Sequence, residues 1–264
     1  MTRPRPATVR WLIVGAVLAL WEIVPRTGVI PELLLPSLSK TLGALIADFD
    51  QYAAALLVTL SEVALAMLIA CGAGILVGAL VGGVARLREL LLPVFSSLYA
   101  VPIVILYPIF TAWLGIGSAS KIAFAGAYGF FPVMLSTAAG IRTIEAQLLL
   151  AARAMGASVP QQITRVIIPA AIPTVLAGLR LGGALTIIGV VVAEMLTASA
   201  GIGYLVTSYR TVLDSPHVFA GVLMILLLSV LFDVVARTLE ARSAAWRGAG
   251  RRAAPPTAAA PAPV

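Results

Sequence analysis

Apolar residues in this chain run in long blocks, with polar residues confined to short stretches between them. Six blocks stand out, approximately Trp11–Val24, Val63–Val84, Leu90–Gly115, Ile122–Ile141, Leu176–Thr197 and Val218–Ala236. An α-helix needs about 20 apolar residues to cross the hydrocarbon of a bilayer. The pattern predicts an all-α, polytopic membrane protein, a bundle of about six transmembrane helices. Arginines precede the first block but no small-x-small cleavage site follows it, so it reads as a retained span.

Composition agrees. Of 264 residues, 61% are hydrophobic and 11% charged, and the mean hydropathy is +1.05. A soluble domain carries roughly a quarter charged residues, so too little polar surface remains to coat a soluble core. Cys71 sits inside an apolar run, where it reads as a small buried hydrophobe; no disulfide framework or metal cluster is predicted.

The net charge of +7 is better explained by membrane sidedness than by nucleic acid. With the N-terminus inside, the inner segments hold Arg3, Arg5, Arg10, Arg86, Arg88, Arg142, Arg153, Arg165, Arg180, Arg237, Arg242, Arg247, Arg251 and Arg252, and the outer ones only Arg26, Lys40, Lys121 and Arg210. Basic residues accumulate in cytoplasmic segments, so both termini are expected in the cytoplasm. The predicted organisation is a cytoplasmic N-terminus at 1–10, a membrane domain at 11–242 and a disordered cytoplasmic tail at 243–264, which ends PPTAAAPAPV.

Small residues recur every fourth position in the second block: Ala66, Ala70, Gly74, Gly78 and Gly82. That spacing lines one helix face and lets another backbone approach closely, so Gly74, Gly78 and Gly82 are packing candidates, within the bundle or at a subunit contact. Pro93, Pro102 and Pro108 in the third block and Pro132 in the fourth favour kinks. Kinks suit a transport path or plain bundle geometry equally, and Pro102 and Pro108 are candidate gate or pathway positions.

The longest polar-containing stretch between blocks is LAARAMGASVPQQITRVIIP, Leu150–Pro169. Glu145–Met155 is rich in good helix formers, and Gly156 suits the left-handed position that ends a helix. Ser158 as N-cap, Pro160 in the first turn and Gln161 three residues on then start a second helix. Ile168-Pro169 and Ile172-Pro173 are expected to interrupt before the fifth span. Ala151 and Ala152 would let a partner approach closely; an amphipathic loop resting on headgroups is the bland alternative.

This stretch resembles the "EAA" loop of ABC importer permeases, whose pattern is E-A-A, three residues, G, nine residues, I-x-L-P. Ala151, Ala152 and Gly156 match, Val166, Ile168 and Pro169 fall at the required spacing, and Leu150 replaces the acid. LLPSLSKTLGAL, WLGIGSASKIAFAGAYGFFPVML, VVAEML and GIGYLV are similar to the nitrate/sulfonate/taurine branch, and the likeness runs from about Leu34 to Glu240. It implies a type I importer permease fold with a cytoplasmic coupling helix at about 145–169, in a bacterial inner membrane. It also implies a second permease copy, a cytoplasmic ATPase dimer and an external solute-binding protein that docks near Lys40–Gln51 and Gly201–Pro216. Leu150, Ala151, Ala152, Gly156, Ser158, Val166, Ile168 and Pro169 would couple the permease to the ATPase. The implied cargo is a sulfonate, taurine or nitrate-like anion, with pyrimidine precursors open.

No G-x-x-x-x-G-K-[ST] occurs, and neither Lys40 nor Lys121 follows a glycine-rich loop. ATP and Mg are therefore expected in a partner chain, with no cofactor or metal bound here, and no constellation for intrinsic catalysis emerges. Glu194, near the outer end of the fifth span, is a candidate gate or pathway residue; an interhelical hydrogen bond is as good a reading. Glu22 and Glu62 read as interfacial, Asp233 and Arg237 as an i,i+4 ion pair, and His217 as a helix-start residue. An ATP-independent transporter or channel subunit is the alternative, though mid-span ionisable residues and repeated broken helices are not evident. A membrane scaffold would use the small-residue stripe equally.

Overall fold

The structure, a computed structural model, describes the backbone of residues 6–251 and the side chains of 8–243. Among the described residues every regular element is helical. In order these are α1 (Pro6–Arg26), α2 (Leu38–Ala47), α3 (Phe49–Gly83), α4 (Ala85–Tyr99), α5 (Tyr107–Leu114), α6 (Ser118–Arg142), α7 (Ala146–Ala154), α8 (Val159–Gln162), α9 (Ile168–Thr197), α10 (Ile202–Thr211) and α11 (Ser215–Arg251). Among the described residues five helices are long and apolar enough to span a bilayer, or up to six when a bent pair is counted as one.

That bent pair corrects the third span. Leu90–Gly115 is not one kinked helix; α4 and the following Ile103–Leu114 helix are bent by 86°. The residue before a proline is pushed out of the α region, so α4 ends ahead of Val101-Pro102. Pro108 then falls in the first turn of α5, where its missing N–H costs nothing. Pro93 and Pro132 remain inside α4 and α6.

The chain forms two compact units, each assembled from separated segments. One takes the described residues up to Leu68, Ile103–Gly126 and Thr186–Val230; the other takes Ile69–Pro102, Ala127–Leu185 and the described residues from Leu231 on. The first has a core of Tyr52, Ala55, Ile202, Leu205, Val206 and Ala220. The Tyr52 hydroxyl donates to the His217 carbonyl at 2.6 Å, tying the first turns of α3 and α11.

The second unit is organised by glycine. A Cβ on Gly78 would lie 2.5 Å from the Met134 carbonyl, and one on Gly82 would lie 2.8 Å from the Ala138 Cα. One on Gly74 would meet Val133 at 2.8 Å. The stripe on α3 therefore packs inside the chain, against α6. On the other flank of α6, a Cβ on Gly182 of α9 would meet Val133 at 2.5 Å. Three backbones approach this closely because small residues line both contacts.

Two further expectations change. The Ile168-Pro169 and Ile172-Pro173 pairs do not interrupt the chain, because helix runs from Val159 to Thr197. A π-turn at Ile163–Ile167 precedes α9, with the Ile168 N–H reaching back to the Ile163 carbonyl. The widened turn absorbs the proline that follows. At the other end, α11 continues to Arg251 where disorder was expected from 243. ARSAAWRGAGR is rich in alanine and arginine, both good helix formers. Arg3, Arg5, Arg252 and the PPTAAAPAPV end lie outside the described residues.

Candidate functional site

The corner between α7 and α8 is built as the residue spacing demands. Gly156 has φ +76°, the left-handed value that glycine adopts without strain. Its N–H donates to the Arg153 carbonyl at 2.9 Å, and the Ala157 N–H to the Ala152 carbonyl at 3.0 Å. This pair of bonds is the Schellman closure of a helix C-terminus. Ser158 is the N-cap of α8, and its N–H donates to the Gln161 Oε1 at 2.8 Å. The buried Gln162 amide holds the corner shut by donating to the Ala157 carbonyl at 2.9 Å.

The corner displays apolar side chains. Leu150 is 68% exposed and Met155 82%, and Leu148, Val159 and Ile163 are exposed beside them in sequence. Ala151 is exposed but Ala152 is 4% exposed, so one alanine of the expected pair faces inward. Neighbouring positions on a helix lie about 100° apart, which separates them. Ile168 and Pro169 are exposed at the start of α9, and Val166 is half-buried in the π-turn. Leu148, Met155, Val159 and Ile163 escaped sequence reading. Their signal was the spacing of Leu148 and Met155, two helical turns apart on a short helix outside the spans.

The second polar constellation lies among α3, α6, α9 and α10. Glu194 is 1% exposed. Its Oε1 accepts from the Thr59 hydroxyl at 2.8 Å, and its Oε2 from the Gly203 N–H at 2.8 Å. The Thr59 oxygen in turn accepts the Ile202 N–H at 3.0 Å. Glu194 thus seats the first turn of α10, where orphan N–H groups and the helix dipole favour a carboxylate. Gly201 and Gly203 leave room: a Cβ on Gly201 would fall 2.1 Å from the Glu194 Oε1. Tyr204, which follows Gly203, is 37% exposed. The paired glycines of GIGYLV were the missed signal, and Thr59 had none.

Glu62 is not interfacial. It is buried and paired with the buried Lys121 at 2.5 Å, across α3 and α6. On a 35-residue helix, sequence cannot tell a rim carboxylate from an inward one. Glu22 pairs with Arg26 and accepts the Ser39 N–H at 2.9 Å. Pro102 lies in the sharp bend and Pro108 in the first turn of α5, and Tyr107 between them bonds the Thr197 hydroxyl at 2.7 Å.

His217, the third residue of α11, lies 2.9 Å from an Asp214 oxygen and 3.2 Å from an Asp48 oxygen. Tyr209 stacks on it at 4.5 Å, its hydroxyl 3.1 Å from Asp48 and 2.7 Å from the Gln51 amide oxygen. Burial, and then Asp48, raise the Tyr209 phenol above its ordinary range, so it stays a donor. Asp233 pairs with Arg237 at 2.7 Å, as expected, and also with Arg180 of α9.

Residues 70–244 match the family described as "Binding-protein-dependent transport system inner membrane component". A Bacillus subtilis protein named as an aliphatic sulfonates transport permease is 33% identical, over 89% of this chain and 86% of its own length. The taurine transport system permease protein of Escherichia coli is 31% identical, over 89% and 88%. The inward-facing MetNI methionine ABC transporter superposes with a TM-score of 0.64 at 16% identity, over 74% of this chain and 97% of that chain. That last likeness is one of fold.

Proposed function

The chain belongs to the binding-protein-dependent transport system inner membrane components, and from that premise we propose that two copies form the path of an importer for a small sulfonate-like anion. It is a permease subunit of an ABC importer and not an enzyme; ATP hydrolysis lies in a partner chain. The observation that carries the proposal is the α7–α8 corner, an exposed apolar knob on a rigid turn. Apolar helical anchors of this kind seat in a groove of a partner. The excess of arginine around it supports a cytoplasmic position, facing an ATPase dimer.

Closure of the ATPases on ATP would push the corner and, through the π-turn, α9. The bundle would then exchange between two arrangements, one open to each side. Leu150 in place of an acid makes the contact one of shape and apolar packing at that position. An external binding protein would deliver the solute at Lys40–Gln51 and Gly201–Pro216, and both termini would lie in the cytoplasm. Sulfonate or taurine as cargo is supported by the relatives named above.

Reconstitution in proteoliposomes with the cognate ATPase and binding protein tests this reading, using labelled taurine and an alkanesulfonate as probes. ATP-dependent accumulation of either supports it. Accumulation of neither, with a formylaminopyrimidine or nitrate taken up instead, would reassign the cargo.

A further inference from the structure

Arg180 stands on α9 with its side chain about one-third exposed. It lies near the inner edge of the fifth apolar block, among the arginines of the inner segments. Its Nε and Nη2 both reach Asp233 Oδ1 at 2.8 Å, and its Nη1 reaches Glu240 Oε2 at 3.4 Å. Arg237 holds the other Asp233 oxygen at 2.7 Å. One residue of α9 therefore grips two turns of α11, through charge-assisted bonds whose planar fork fixes orientation as well as distance.

The position of that grip matters. Val159 to Thr197 is a single run of 39 residues, entered directly from the α7–α8 corner, and Arg180 lies about 30 Å along it at the rise of an α-helix. The corner and Arg180 share this continuous helical run, and the ion network ties the 233–240 stretch of α11 to it. We propose that Arg180 is a positioning residue for transport. It delivers the displacement of the coupling corner to the last helix, with Asp233 and Glu240 as its receivers. The inference rests on the reading of the corner as the ATPase contact.

The test uses the full complex of permease, ATPase and binding protein in proteoliposomes, with uptake per ATP hydrolysed as the readout. Arg180→Gln is expected to assemble and to hydrolyse ATP on addition of binding protein, while uptake per ATP falls at least fivefold. In a Cys71→Ser background, Arg180→Cys with Asp233→Cys shows the same loss until a short bismaleimide bridges the pair, which restores most of it. Uptake per ATP unchanged in Arg180→Gln, or a bridged pair no better than the unbridged one, overturns the proposal. The cysteine pair decides the matter if Arg180→Gln fails to assemble. Met155→Asp, run in parallel, must lose the ATPase subunit. If it keeps the ATPase and full uptake, the corner reading fails and this proposal with it; if it loses the ATPase while Arg180→Gln transports normally, only the role of Arg180 fails.

Discussion

The Glu194 carboxylate accepts the Gly203 N–H at 2.8 Å, and the two residues lie nine apart in the chain. A buried carboxyl group thereby replaces a missing turn of helix, fixing how the chain reverses from α9 into α10. Thr59 of α3 completes the arrangement by bonding both Glu194 and Ile202. Thr59→Val removes one donor to the buried carboxyl group, a loss of about 1–3 kcal/mol. Its melting temperature in detergent should fall, and Gly203→Ala should fall further because its Cβ would lie 2.5 Å from the Val191 carbonyl. Equal stability of Thr59→Val and the parent would remove the seat from the account.

The Glu62–Lys121 pair makes a sharper energetic prediction. Breaking a buried pair from one side strands a charge and costs about 3–5 kcal/mol, whereas replacing both partners by apolar residues is often near neutral. Glu62→Leu alone should aggregate on extraction. Glu62→Leu with Lys121→Met should recover a monodisperse peak in size-exclusion chromatography. A double variant as poor as the single one would contradict the pairing.

Gly156 separates backbone from contact. Nothing lies within 4 Å of a Cβ built there, but φ is +76°, a conformation that costs a β-branched residue about 1–3 kcal/mol. Gly156→Val should bend the corner and uncouple ATP hydrolysis from uptake, while Gly156→Asn, tolerant of left-handed backbone, should retain most transport. Similar uptake by both variants would show that the turn is not a coupling element.

The α3–α6 contact predicts a packing limit. A Cβ on Gly78 would approach the Met134 carbonyl to 2.5 Å, and overpacking of this kind costs about 1–3 kcal/mol. Gly78→Val should lower yield and melting temperature, whereas Gly72→Val, with open space around it, should change neither. Parity between the two would deny that the stripe is an internal seam.

What could be read without the structure follows from where the information lies. Spans, the small-residue stripe and the Gly156 turn are set by local spacing, and residues 70–244 with their relatives uphold the family. The third span misled because three prolines within one apolar block signal a break without saying how far the halves fold apart. Likewise Ile168-Pro169 promised an interruption, since a π-turn five residues long has no sequence signature. Contacts between distant segments were out of reach. Thr59 and Glu194 are 135 residues apart, and only the fold shows that they meet.

The most direct measurement concerns the corner itself. Permease carrying Met155→Asp, at the most exposed apolar side chain of the corner, is co-purified with the cognate ATPase, and hydrolysis stimulated by the binding protein is compared with that of the parent. A carboxylate on an apolar knob should abolish or greatly weaken ATPase association and lower stimulated hydrolysis at least tenfold, with the permease itself still folded and monodisperse. Full association and undiminished stimulation would contradict the assignment of the α7–α8 corner as the site where this permease is driven.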